Sequence, residues 1–556
     1  MSSDKTDFDV IVAGNGISVA PLIWHISQTS PGVRMLIIDR AKFVPPSEII
    51  YPTMDQQARK AGLLTENGTQ GTIDVDYGAG PRELKKWWVP DVSGGGSILW
   101  YGQMSRFEAR DFTVGSSVAD RTGFEEVRDW PIGLEELQPF YRAIERELTP
   151  YGSRYGCTQE ELGTLDCEVV TERPMISSFE KAAIDAMRRA EIKAFVGQTC
   201  LGGRIWDSKP LDPMHPDEQI LSRASLLFRP NWFSRIAELI ASSPNIEVAD
   251  CTRVESVRVQ GQNVCGVNVV SGQEDGLSHG AFRAPIVILG LGALESVRTL
   301  MQSNIPDPSH LLGRRLTFTQ EKIAYLRTNI PRSQDPIDAS IGRFGSVTVK
   351  DFCHPRSNTP VRGGKVSVYD AHEAEVPRKL QRNLGLPPEE YAAVSHSTCR
   401  TVLLKLSFKG ESVPSARKHM KLGPKRDAHG IAVPLVTYGQ HPEDVLIGEY
   451  GIKAFREIAR AFPGSRLVVP PQRQGTAVVS AHHHGGAVFG SDPSDSVLTP
   501  DCEHHTVSNL YVVDGSLMPT SGSTNSSHTL MANSLRVAHI VANRVGAAGR
   551  SMSHGL

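Results

Sequence analysis

The sequence has no long hydrophobic run, no paired cysteines and no dominant charge, and each absence removes a class of function. Its longest markedly apolar stretch, around Ala284 to Leu294, falls well short of the about 20 residues that cross a bilayer. No membrane partner is expected. The eight cysteines, Cys157, Cys167, Cys200, Cys251, Cys265, Cys353, Cys399 and Cys502, are scattered and form no CxxC pair. That argues against a zinc or redox centre and reads as reduced, mostly buried thiols. A formal net charge of -2 over 556 residues gives no electrostatic reason to bind nucleic acid or an acidic membrane. Solenoid-type repeats are absent too. The first strand begins by Phe8, leaving no room for a cleavable signal segment, so a soluble, cytoplasmic protein is the expectation.

What is present begins at the N-terminus. Phe8 to Ala13 is an apolar strand, Gly14-Asn15-Gly16 follows at once, and Val19 to Ile26 is compatible with a helix. A second strand, Arg34 to Ile38, ends in Asp39. In such a unit the first glycine makes the tight turn, the second lets a pyrophosphate approach the backbone, and the acid bonds a ribose hydroxyl. A nucleotide cofactor is the direct reading, against the plainer one of a glycine turn between a core strand and its helix. One departure stands out. The third glycine of GxGxxG, which allows close helix-strand packing, is Val19.

Beyond an irregular excursion from 44 to 90, with a short helix near Gln56 to Leu64, comes VSGGGSILWYGQMSRFEARDF, Val92 to Phe112. Flexible linkers of glycine are polar, whereas this run leads into aromatic and apolar residues, so it reads as backbone packed against a flat ligand. Helices are expected over Leu134 to Leu148, with Pro131 near its start, and over Phe179 to Ala190. Asn245 to Val270 alternates like strands with a turn at Gly261. Pro285 to Leu289 is an apolar strand ending in Gly290 and Gly292 before a helix from Ala293 to Ser303. From Thr319 to Phe462 strand-like runs alternate with charged loops, as in an antiparallel sheet, and the basic run GESVPSARKHMKLGPKRDAHG reads as a solvated face.

The C-terminal stretch is the densest in chemistry. Leu510 to Val513 is a short strand stopped by Asp514-Gly515, PTSGSTNSS is a loop, and apolar residues then recur at helical spacing from His528. The first amides of that helix carry the positive end of its dipole and favour a developing anion beyond Asn525. Upstream lies HHHGGAVFG, with His482, His483 and His484 in a row. These three are open to reading as a surface cluster or as metal ligands, although adjacent side chains diverge on a strand and no metal site using all three is expected.

Taken together, DVIVAGNG with Asp39, GGGSILWYGQMSRFEARDF with DWPIGLEELQPFY, APIVILGLGALESVRTLMQSNI with LLGRRLT, and the two C-terminal blocks resemble the glucose-methanol-choline (GMC) flavoprotein oxidoreductases, nearest their pyranose oxidase and sugar dehydrogenase branch. The resemblance implies an α/β + β architecture. A discontinuous Rossmann-like FAD domain would occupy residues 1–318, with the excursion, and 463–556, and a substrate domain on an antiparallel sheet would occupy 319–462. It implies FAD held by Gly14, Gly16, Asp39, Gly94, Gly95, Ser97 and Gly292, with Asp514 and Gly515 near its ribityl and phosphate part. It places the catalytic pair on His482 and Asn525. Two departures bear on chemistry. Leu99 stands where pyranose oxidases carry the histidine that attaches the flavin, so non-covalent FAD is expected. Tyr101 replaces a threonine near the flavin, which bears on oxygen use; the acceptor is oxygen or another oxidant.

Oxidising an alcohol through a flavin requires removal of a hydroxyl proton while a hydride leaves the same carbon, and histidine suits the base because its ordinary pKa lies near working pH. The substrate implied is a hydroxyl on a sugar or sugar-like unit: a free sugar, a glycoside or an aminoglycoside-type natural product. A sterol or other non-sugar alcohol is the alternative within the family. An alternative of another class is a flavin-binding sensor or assembly partner, which would need neither His482 nor Asn525. Asn525 also suits a plain helix N-cap, and His528 either touches substrate or is an ordinary first-turn residue.

Overall fold

The computed structural model describes residues 8–43, 73–84, 93–96, 100, 102–148, 150–158, 171–172, 176–200, 232–272, 276–331, 347–356, 360–370, 401–470 and 482–553. Ser97, Leu99, Tyr101 and the helix expected near Gln56 to Leu64 lie outside them. Two large sheets organise the chain. The first has five parallel strands in the order Leu510–Val512, Ile286–Leu289, Val10–Ala13, Met35–Ile38, Ile246–Ala249. Its inner strands read VIVA, MLII and IVIL and are wholly buried, as parallel strands covered on both faces require. The helix Ala20–Thr29 packs against the last helix, Ser527–Ser553, which in turn packs against Leu134–Leu148.

Val19 finds its place in this sheet. A Cβ on Gly290, at the end of the neighbouring strand Ile286–Leu289, would sit 2.1 Å from Val19 Cγ1, so the space usually left by a glycine on the helix is left here by one on the strand. Gly14 has φ +98 and a Cβ there would lie 2.5 Å from the Gly290 carbonyl oxygen, so the same close approach fixes both glycines. The antiparallel strands Thr252–Gln260, Asn263–Ser271 and Ser278–Arg283 form a separate sheet, the first two turning at Gly261 with φ 64 as its alternation predicts.

The second large sheet has eight strands in the order Arg466–Val468, Gln320–Pro331, Thr401–Gly410, Gly364–Asp370, Val347–Val349, Ala194–Thr199, Tyr151–Ser153, Thr171–Glu172. All neighbours are antiparallel except the last pair. Its strands come from 151–199 and 466–468 as well as from the 319–462 stretch. The two faces differ. Val366, Val368, Leu404, Leu406, Phe408, Ala324 and Leu326 bury one face against Ile447, Phe455 and Ile458 of the helix Pro442–Arg460. Register puts Glu321, Lys409 and Lys365 in one row on the other face, and Ser407 and Ser367, joined by Thr348, in the next.

Arg417, Lys421, Lys425 and Arg426 of the basic run from Gly410 to Gly430 are exposed, as its charge suggested, but the run is not solvated throughout. Glu411 and Lys418 are buried. The Lys418 ammonium is paired with the Asp444 carboxylate and donates to Ser412 Oγ at 2.8 Å and to the Val413 carbonyl at 2.7 Å. Asp444 also serves the capping box that starts the helix Pro442–Arg460, so the buried cation ties this strand to that helix start. Charge density in the sequence carries no record of such a partner 26 residues away.

Candidate active site

The parallel strands deliver four turns to one edge: Gly14 to Gly16 after Val10–Ala13, Asp39 after Met35–Ile38, Gly290 to Gly292 after Ile286–Leu289, and Asp514-Gly515 after Leu510–Val512. In open parallel sheets, ligands bind in the crevice beyond these carboxyl ends. Asn15 closes the edge from above. Its side-chain amide donates to Ser93 Oγ at 2.9 Å and its carbonyl oxygen accepts from the Gly94 amide at 2.6 Å, which draws the glycine-rich segment over the first turn. The sequence reading passed over Asn15, although an Asn flanked by two turn glycines carries the donors and acceptors such a clasp needs.

Glycines show what this edge can hold. Among the described residues, a Cβ on Gly95, Gly96 or Gly292 would meet no atom within 4 Å, and one on Gly16 only the Gly94 carbonyl oxygen at 3.8 Å. These positions form a cradle that side chains would fill, and they fit a dinucleotide laid against the backbone. Asp39 is buried at the end of its strand, where its carboxylate also accepts from the Ala41 amide at 3.0 Å. Asp514 organises the turn itself. Its oxygens accept from the Gly292 amide, Ser296 Oγ, the Ser516 amide and Ser516 Oγ, and burial pushes its carboxyl up. Gly515 is required by a neighbour: a Cβ there would lie 2.5 Å from the His483 carbonyl oxygen.

That contact brings in the second half of the site. His483–His484 is a short strand paired with Thr317–Phe318, and the Thr319 amide donates to the His482 carbonyl. Strand alternation sends His483 to the side of Phe318, with ring centroids 5.7 Å apart, and leaves the rings of His482 and His484 6.4 Å apart. The three histidines therefore do not converge. His484 is buried and its Nε2 lies 2.9 Å from Ser526 Oγ. The final helix starts at Ser527, and the Ser526 carbonyl accepts from the Leu530 amide. Ser526 is thus the N-cap and Asn525 precedes it, which corrects the N-cap reading of Asn525.

The loop leading to Asn525 is held by the antiparallel sheet and by the stretch from Asp111 to Trp130. Trp130 Nε1 donates to Thr520 Oγ1 at 3.0 Å, the Ser412 amide to Ser521 Oγ at 3.1 Å, and Ser523 Oγ to Asp111 at 3.1 Å. The Lys365 amide donates to the Ser523 carbonyl at 2.9 Å. On the polar face of the large sheet, the Lys365 ammonium donates to Ser105 Oγ at 2.7 Å and Gln103 Oε1 at 3.2 Å, so this face looks toward the segment that follows the glycine-rich block. Buried polar atoms without a hydrogen bond among the described residues include Trp100 Nε1, the Gln198 side-chain amide, Thr348 Oγ1 and Thr524 Oγ1. Such groups are the kind that a bound polar molecule satisfies.

Electrostatics set the protonation states. Burial lowers His482 most, the Lys409, His483 and Lys365 charges add to it, and its pKa falls to about 3. It is a neutral imidazole at any ordinary pH, more deeply so than an unperturbed histidine. His484 is likewise driven well below its usual range by burial and then by its two neighbours. His528 turns inward: it is fully buried, its ring lies 4.7 Å from that of Tyr141, and its Nε2 is 3.7 Å from Glu145, whose carboxylate is gripped by Arg106 at 2.7 and 2.8 Å. Its surroundings are those of a core residue. Among the described residues, no group of three His, Cys, Asp or Glu side chains is arranged to hold a metal, and no helix is long and apolar enough to cross a membrane.

Comparison with known proteins adds to this geometry. Residues 414–534 match the family described as GMC oxidoreductase. The chain is 23% identical over 553 residues to paromamine 6'-oxidase of Streptomyces fradiae, covering 97% of this chain and 92% of that one. It is 23% identical over 480 residues to 6'''-hydroxyparomomycin C oxidase of Streptomyces lividus, covering 83% and 80%. Among solved structures, pyridoxine 4-oxidase from Mesorbium loti superposes with a TM-score of 0.61 at 18% identity, over 96% of this chain and 98% of that one.

Proposed function

The chain belongs to the GMC oxidoreductases and is an FAD-type alcohol oxidoreductase, and from that premise we propose that it oxidises a hydroxyl on a sugar or sugar-like unit, with His482 as the base and Asn525 as its partner at the substrate oxygen. The observation that carries this reading is the meeting of the His482 strand with the start of the final helix, beside the carboxyl ends of the parallel sheet. FAD, when bound, accepts the hydride leaving the carbinol carbon. Gly14, Gly16, Asp39, Gly94, Gly95 and Gly292 would hold it, with Ser97 alongside.

His482, neutral at working pH, takes the hydroxyl proton. Half-buried Asn525 carries a side-chain amide with no hydrogen bond among the described residues, so it can donate to the same oxygen. The amides opening the final helix favour negative charge nearby. The polar row of Glu321, Lys409 and Lys365, with Ser367 and Ser407, suits a polyhydroxylated substrate. The two relatives named for aminoglycoside oxidation favour a sugar unit of that kind. The flavin is held without a covalent bond, because Leu99 stands where an attaching histidine would be.

Two experiments test this. His482→Ala should retain yellow FAD yet lose alcohol oxidation, whereas full activity in that variant would rule out the mechanism. Acid precipitation should release the colour into the supernatant, and colour remaining on the protein would contradict non-covalent attachment.

A further inference from the structure

The GMC resemblance implies Asn-Pro where this chain has Asn525-Ser526, a further departure, and the structure shows what the serine touches. Its hydroxyl meets His484 Nε2 at 2.9 Å, with both side chains buried. His484 Nδ1 makes no hydrogen bond among the described residues. A buried imidazole with one nitrogen unsatisfied is costly where an apolar side chain would pack without that penalty, so the contact with Ser526 is what the ring contributes. The bond joins two segments distant in sequence: one carries His482 two residues before His484, and the other carries Asn525 one residue before Ser526. Around it the backbone is already tight, since Gly485 donates to the Gly515 carbonyl at 3.0 Å and a Cβ on Gly515 would sit 3.3 Å from His484 Cδ2.

Resting on the assignment of His482 and Asn525 above, we propose that His484 and Ser526 form a positioning pair that sets the distance between the base and its partner amide at the substrate oxygen. Neither side chain is assigned contact with substrate. Their bond fixes where the strand ends relative to the N-cap of the final helix, and a displacement of about 1 Å at a reacting centre is enough to cost on the order of a hundredfold in rate. The serine in place of proline and the histidine at 484 are then one coordinated feature of this chain.

The test is anaerobic rapid mixing of the FAD-loaded enzyme with an alcohol substrate, reading the limiting rate of flavin bleaching and the half-saturating substrate concentration separately. Wild-type bleaching, abolished in His482→Ala, secures the underlying assignment before the pair is addressed. Ser526→Ala and His484→Leu should each lower the limiting rate by about ten- to a hundredfold, with the half-saturating concentration changed by less than about threefold and FAD retained. Because both remove one bond, the double variant should be no slower than the slower single. Ser526→Thr and His484→Gln, which keep a donor and an acceptor, should recover most of the rate. Single variants within about twofold of wild type, or effects that multiply in the double variant, would overturn the proposal. Rate loss matched by FAD loss or by a fall in melting temperature would overturn it too, by showing a merely structural role.

Discussion

The two large sheets solve opposite problems. The parallel sheet is buried on both faces and its chemistry lies only at the strand ends, in glycine turns and Asp39. The antiparallel sheet is divided by face, with one side apolar against the helix Pro442–Arg460 and the other carrying Glu321, Lys409, Lys365, Ser367 and Ser407. In the proposed function the first binds with backbone and the second with side chains. A cofactor common to a family needs only the first arrangement, while a substrate particular to one chain needs the second. The proposed site lies where they meet, at His482 and the start of the final helix.

The largest effect is expected where the two sheets meet. His482→Ala should lower the rate of flavin reduction by about a hundred- to ten-thousandfold, the span general-base removal produces, with FAD still bound. The parallel sheet is broken by backbone crowding. Gly290→Ala should destabilise the fold by about 1–3 kcal/mol, as overpacking does, and weaken FAD retention, and pairing it with Val19→Ala should restore much of both. Thermal unfolding followed by flavin fluorescence reads each.

Those two sheets were also unequally legible. The parallel strands announce themselves as continuous aliphatic runs ended by glycines, so strand, turn and helix could be placed from Val10 to Asp39 and from Ile286 to Gln302 with boundaries within three residues, the largest miss being the end of the first helix at Thr29 and not Ile26. The antiparallel sheet pairs Ala194–Thr199 with Val347–Val349, and no local pattern records a partner that far away. The family spacing led to His482 and Asn525, but it was silent on Asn15, on the His484–Ser526 bond and on the buried Lys418–Asp444 pair. Each of these depends on which residues meet in three dimensions. The Val19 departure was visible in sequence, while its compensation by Gly290 was not.

Smaller effects sharpen the contrast. Lys409→Met, on the polar face, should raise the half-saturating concentration for a polyol roughly tenfold, the size expected for losing a hydrogen bond to a charged group. The melting temperature should fall as well, because Lys409 pairs with the Glu321 carboxylate at 2.5 Å and the substitution leaves that charge without its partner. Acid should act on the whole site. His482, His484 and His528 all have folded pKa values below the unfolded value near 6.5. The unfolded chain therefore binds more protons as pH falls below about 6.5, and stability present above that pH is lost on the way down, for His482 as far as about 3. Melting temperatures measured from pH 7 to pH 5 should fall, and fall less in a His484→Leu variant.

The most direct test of the central claim is an anaerobic absorbance titration of the FAD-loaded protein with sugars, glycosides, aminoglycosides and sterols, following the oxidised flavin band. Bleaching by a polyhydroxylated alcohol, with sterols inert, is the predicted result, and admitting air afterwards separates oxidase from dehydrogenase. A flavin reduced by sterols and untouched by every sugar-like compound would contradict the account, since the polar face of the antiparallel sheet would then have no part in choosing the substrate.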